Sequence, residues 1–130
     1  MENNGYQQYV EQSVNTMTAN ELLLLLYDEL VKRLARCELA LNKQNYPLLE
    51  ESVDRSLAIL RYLDDTLDMQ YEISGQLHRL YDFFSYELNR VKIGRNAAEL
   101  AKIRPMLTEL RDTFHEADRL SRTEPAEQQD

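Results

Sequence analysis

The chain has 130 residues, enough for one domain with a real core and too few for two. Its 23 acidic residues against 15 basic ones give a formal net charge of −8, which argues against nucleic acid or an anionic membrane surface as partner, because phosphate binding needs clustered positive charge. Only three glycines and three prolines point to an all-α chain. The single Cys37 closes no intramolecular disulfide and falls inside a helical pattern, which fits a small buried apolar group in a reducing compartment. Met1-Glu2-Asn3-Asn4 lacks the basic and apolar stretches of an export signal, and no apolar run approaches the ~18 residues of a membrane span. A cytosolic protein without membrane insertion is expected.

Residues 1–17 read as an N-terminal arm, polar with scattered Tyr6, Tyr9, Val10, Val14 and Met17, too sparse for a stable isolated helix. Tyr6 and Tyr9 lie three apart, so one helical turn would bring both rings to one side, and such a segment orders only by docking. A bundle is expected over 18–120. Thr18 and Glu21 have capping-box spacing, which places a helix start there. Helix one is predicted over 19–42, with Leu23, Tyr27, Leu30, Leu34, Cys37 and Leu41 as its seam.

Pro47 suits the first turn of helix two, which carries Leu49, Val53, Leu57, Leu60 and Leu67, with Leu63 beside the stripe. Asp64, Asp65 and Asp68 then crowd negative charge where the helix dipole favours cations. They read either as a site for a cation or basic partner or, preferably, as a solvated face. Ser74 is placed to cap helix three, whose core face is Leu77, Leu80, Tyr81, Phe84, Leu88 and Val91, and Gly94 is a natural stop.

Asn96 and Glu99 repeat the capping spacing and open helix four, with Leu100, Ile103, Leu107, Leu110, Phe114 and Ala117 on one face. Pro105 predicts a bend near 101–104 or a restart of the helix, because an interior proline deletes one ladder bond. Residues 121–130 are polar and expected to be a disordered tail. Short links between the helices imply an antiparallel, up-down four-helix bundle.

Catalytic chemistry finds little to work with. Neither His78 nor His115 follows a glutamate at the spacing of a di-iron bundle, and no glycine-rich phosphate loop or Cys-x-x-Cys is present. No cofactor, no metal site and no catalytic residues are expected. Arg90, Lys92, Arg95, Lys102, Arg104 and Arg111 form one basic region, read as a solvated face rather than an RNA site because exposed aromatics are not interleaved.

What the pattern leaves over is apolar surface. Leu22 to Leu26 surround the first turn and a half of helix one, with Leu25 almost opposite the seam and Leu22 and Leu24 on its flanks. On helix three Tyr86 and Ile93 point outward and Phe83 lies at the border, and on helix two Tyr62 does likewise. Helices one and three are therefore expected to combine into a partner groove. The alternative is a dimeric helical-bundle scaffold or adaptor that buries the same surface between two copies.

The tyrosine pair Tyr6 and Tyr9, Ser13-Val14-Asn15-Thr16, the capped start, and Glu21-Leu22 running into Leu26-Tyr27-Asp28 resemble the opening of the flagellar secretion chaperones of the FliS family. Leu67-Asp68-Met69, Ile73-Ser74, Leu80-Tyr81-Asp82 and Leu107-Thr108-Glu109-Leu110-Arg111-Asp112 are similar to the family's later landmarks in the same order. Ala19 stands where the family usually has proline, Phe114 where tryptophan is common, and Tyr86-Glu87 where a basic pair often follows. The resemblance implies a non-enzymatic chaperone that binds the disordered C-terminal segment of flagellin in the cytosol, prevents its polymerisation and supports its export. Flagellin-binding candidates are Tyr6, Tyr9, Leu22, Leu25, Phe83, Tyr86 and Ile93, the two tyrosines by family resemblance and the others as surplus apolar surface. It leaves open further contacts with the flagellar export apparatus and the flagellar anti-sigma factor.

Overall fold

A capped helix start opens the computed structural model, which describes residues 17–123. Thr18 has extended backbone and its hydroxyl accepts from the Glu21 amide at 3.1 Å, satisfying one of the donors that a helix start leaves unpaired. Tyr6 and Tyr9 lie outside the described residues. Four helices follow: α1 Ala19–Asn42, α2 Tyr46–Asp65, α3 Glu72–Gly94 and α4 Ala97–Thr123. The first pair is joined by three residues and the last pair by two, so chain neighbours run antiparallel, as expected. Packing is cyclic: α1 lies against α2 and α4, and α3 against the same two, which places α1 and α3 at diagonal corners.

Each turn between helices is fixed by a specific local device. Asn45 caps α2 by accepting from the Leu48 amide, with Pro47 in the first turn where its missing N–H costs nothing. α3 begins two residues before Ser74, and its first residue follows Tyr71, which makes no side-chain cap. Ser74 is instead buried and its hydroxyl donates to the Asp68 carbonyl at 2.5 Å, tying the α2–α3 link to the first turn of α3. α3 does stop at Gly94, but the left-handed residue is Arg95, with φ of 51°. That conformation costs an L-residue roughly 1–2 kcal/mol, and the Arg95 guanidinium lies 3.5 Å over the Tyr46 ring, an attraction that offsets part of it. Asn96 accepts from the Ala98 and Glu99 amides and starts α4.

α4 runs without interruption through Pro105 to Thr123, so the helix does not restart there and its helical run reaches past residue 120. Pro105 is exposed, on the side where a missing ladder bond is most easily met by water.

The core is close to the predicted seams, with informative slips. On α1 the buried positions are Leu24, Tyr27, Leu30, Leu34, Cys37 and Ala40, so Leu24 and Ala40 take the places expected for Leu23 and Leu41, which pack only at the core's edge. The cause is the helical repeat: a straight helix drifts about 20° per heptad against an alternating three-four pattern, and the drift shows at the ends. On α2 the small Ser52 and Ser56 are buried beside Val53 and Leu60, with the Ser56 hydroxyl satisfied by the Ser52 carbonyl at 2.8 Å. Leu110 and Phe114 reach the core from its rim, while Ala117 is exposed.

At the centre, Tyr27 of α1 and Tyr81 of α3 meet hydroxyl to hydroxyl across the bundle, and Phe114 of α4 stacks on Tyr27 with centroids 4.9 Å apart. Burial pushes both phenols above their ordinary range, so they remain neutral hydrogen-bonding groups. Tyr27→Phe is expected to cost about 1–3 kcal/mol, because it leaves the Tyr81 hydroxyl buried without a partner. Adding Tyr81→Phe to it is expected to restore much of that loss in urea unfolding; additive losses would contradict the pairing.

Candidate functional site

An apolar groove of about 460 Å³ opens between the first turns of α1 and the last turns of α2, lined by Ala19, Asn20, Leu22, Leu23, Leu26, Tyr62, Leu63 and Thr66. Its origin is the leucine run. Leu24 enters the core, and Leu23 and Leu26 pack against the core edge, so Leu22 is left facing the groove without being held by the core. Tyr62 closes the far wall and is 47% exposed, a large aromatic surface that the described residues leave half open. Leu63 forms the floor, buried beneath it.

The candidate residues on the described chain do not converge on one groove. Leu22 lies in this one; Leu25 is half-buried on α1 but does not line it. Tyr86 and Ile93 line a separate hollow of about 410 Å³ on α3 with Asn89, Arg90, Gly94 and Asn96. Ile93 is 82% exposed there and Tyr86 62%. Phe83 is half-buried, tilted against Phe84 with centroids 5.9 Å apart, and packs on the core edge. The expected groove between helices one and three is not formed, because the two helices sit at diagonal corners and their outer faces point away from each other.

The groove that does form joins chain neighbours. A signal for it was present: Leu26 lies sixteen residues before the end of α1 and Tyr62 sixteen residues after the start of α2, so an antiparallel hairpin sets them level.

Charges pin the bundle rather than offer a surface. Arg90 reaches Glu87 and Glu99 at 3.6 and 3.4 Å, Lys92 pairs with Asp54 at 2.8 Å, and Arg104 pairs with Glu38. Lys102 lies 5.5 Å over Phe83, and Arg111 binds its neighbour Asp112. The basic region is thereby divided among partners within the chain.

Asp64, at the end of α2, finds its cation internally as well. His78 of α3 places Nδ1 2.6 Å from Asp64 and Nε2 3.5 Å from Asp82, while Asp68 accepts from the Gln70 amide at 3.0 Å. Asp64, His78 and Asp82 bring ligand-type atoms within 4.8 Å of one another. With a carboxylate at each ring nitrogen, however, the arrangement suits an imidazolium donating twice, whereas a metal needs a bare nitrogen lone pair. His115 makes the matching link from α4 to Asp28 of α1, at 2.9 Å. Both histidines thus tie helices together at the end of the bundle where the groove opens.

Among the described residues no helix is long and apolar enough to cross a membrane. A helical bundle with an open apolar groove, charges engaged internally and histidines used as pins defines a binding protein. The sequence model of the family described as "Flagellar protein FliS" matches residues 2–121, and the chain belongs to that family, a family of chaperones and not of enzymes. It is a flagellar secretion chaperone. It is 28% identical over 114 residues to the "Flagellar secretion chaperone FliS" of Bacillus subtilis (strain 168), covering 88% of this chain and 86% of the relative. A solved structure described as "Crystal structure of flagellar chaperone from bacteria" superposes with a TM-score of 0.71 at 20% identity, covering 90% of this chain and 97% of the other, a likeness of fold.

The neighbouring carboxylates, Asp64 first, hold the His78 imidazole above its ordinary value of 6.5. A raised folded-state value means that the contribution is full below pH 6.5 and is lost as pH rises through the folded value. The gap in melting temperature between wild type and Asp64→Asn is therefore expected to change steadily in the direction of a weaker wild type as pH rises through the histidine range. A gap independent of pH would contradict the pair.

Proposed function

We propose that the chain binds the disordered C-terminal segment of flagellin in the cytosol, keeps it from polymerising and hands it to the flagellar export apparatus. The observation that carries this reading is the apolar groove that the described residues form between α1 and α2 in a member of the FliS family. Its volume is within the roughly 300–1,000 Å³ of ordinary ligand sites and takes the anchor side chains of one or two turns of an amphipathic helix. Contiguous exposed apolar surface of this kind marks a partner site.

The mechanism is coupled folding and binding. A disordered segment loses conformational entropy on ordering, so it needs a wide footprint to reach useful affinity. The Tyr86 and Ile93 hollow on α3 supplies a second docking area, which a segment reaches by wrapping past α2 or α4. A segment of flagellin held in this way is withheld from packing against other flagellin subunits. Because Ala19, the first residue of α1, lines the groove, we place Tyr6 and Tyr9, a short way before it in the sequence, as anchors that cover it in the free protein and rearrange when flagellin arrives.

Calorimetry with a peptide of the flagellin C-terminus is the test. Wild type is expected to bind, and Leu22→Asp or Tyr86→Asp to weaken binding about tenfold or more, ~1.4 kcal/mol, with melting temperature nearly unchanged. Replacing Tyr6 and Tyr9 together by serine is expected to weaken binding as well. Absence of heat with wild type overturns the reading.

A further inference from the structure

Among the described residues Glu87 is the one buried carboxylate: it is only 3% exposed, on the α3 face that meets α4. Glu99 of α4 meets it at the same Arg90 guanidinium, which contacts one oxygen of each, and the Glu99 side chain is 17% exposed. The Oε2 atoms of both are buried and neither has a donor from the rest of the described chain. The charged groups facing the pair are Arg90 from α3, at 3.6 Å from Glu87 and 3.4 Å from Glu99, and Lys102 from α4. Two buried carboxyl oxygens with no other donor have one way to satisfy each other, which is a proton between them.

We propose that Glu87 and Glu99 hold one proton between them as an acid–carboxylate hydrogen bond, and that this pair is a pH-sensitive latch joining α3 to α4. Its reach extends to the aromatic residues outside it. The Arg90 guanidinium lies 5.9 Å over the Tyr86 ring and the Lys102 ammonium 5.5 Å over Phe83. With one proton on the pair, a single negative charge is shared by two cations. Loss of the proton places two negative charges side by side, draws Arg90 and Lys102 toward them and off the rings, and pushes the two helices apart. The α3 face carrying Tyr86 is thereby coupled to pH through groups that do not belong to it.

The direction of each titration follows. The hydrogen bond to Glu99, desolvation and the Glu99 charge raise Glu87 above the ordinary 4.5, while the hydrogen bond from Glu87 and the nearby cations hold Glu99 below it. Glu87's contribution is full below pH 4.5 and is lost as pH rises through its raised value. Glu99's is full above pH 4.5 and is lost as pH falls through its lowered value. One proton therefore stays on the pair on both sides of 4.5.

The test is a pH titration of the full chain by nuclear magnetic resonance, following the Glu87 and Glu99 carboxyl carbons and the Tyr86 and Phe83 rings. Glu87 is expected to titrate above 4.5 and Glu99 below, with the ring signals moving at the Glu87 midpoint. Glu87→Gln, whose amide donates permanently to Glu99, is expected to abolish that ring movement and to gain melting temperature over wild type as pH rises. Two glutamates titrating together near 4.5, ring signals indifferent to Glu87, or ring movement surviving in Glu87→Gln would each overturn the proposal, and the wild-type titration alone is sufficient for the first two.

Discussion

Tyr27 is the point on which the bundle depends. It is fully buried on α1, hydrogen-bonds Tyr81 on the diagonal helix α3 and stacks on Phe114 of α4, so one side chain fixes three helices at once. The rest of the apolar core is non-directional and tolerates rotation of one helix against another. A buried hydroxyl does not, because each phenol left unpaired in the interior loses its water without replacement. The pair therefore selects one rotation of α1 and α3, and that rotation determines which leucines of the 22–26 run turn inward.

From this follows the groove. Once Tyr27 is inward, Leu24 and Leu30, each three residues away, share its face and Leu23 and Leu26 lie at the edges. Leu22 has no place in the core at this rotation and meets Tyr62 across the gap to α2. An apolar run longer than one core face can use is in this sense a statement about binding. Within the described chain the charges nearest the helix seams bind one another, so the groove itself is left neutral and apolar.

Much of this was legible in the sequence because it is local. The Thr18 cap, the extent of α1, the Asn96 cap and the stop at Gly94 each depend on a few neighbouring residues, and each stands where the pattern places it. Ser74 misled because its hydroxyl has a tertiary choice, the Asp68 carbonyl, that spacing does not reveal. The burial of Glu87 has no local signal, because it depends on the approach of α4 with Glu99. Helices one and three seemed natural partners because they carry the richest surplus, but lateral order in a bundle is set by the short links. Those links make sequence neighbours adjacent and put one and three on the diagonal. The level pairing of Leu26 with Tyr62 was available from the same links and points to the groove that forms.

The central claim is that flagellin is held at the seam between α1 and α2 while the bundle stays as it is. Amide hydrogen exchange of the full chain, with and without a peptide of the flagellin C-terminus, tests it most directly. Added protection over 19–26 and 62–66, with the centre of the bundle around Tyr27 and Tyr81 already protected in the free protein, is the expected result. Binding that leaves both of these segments unchanged and protects other helices instead would contradict it.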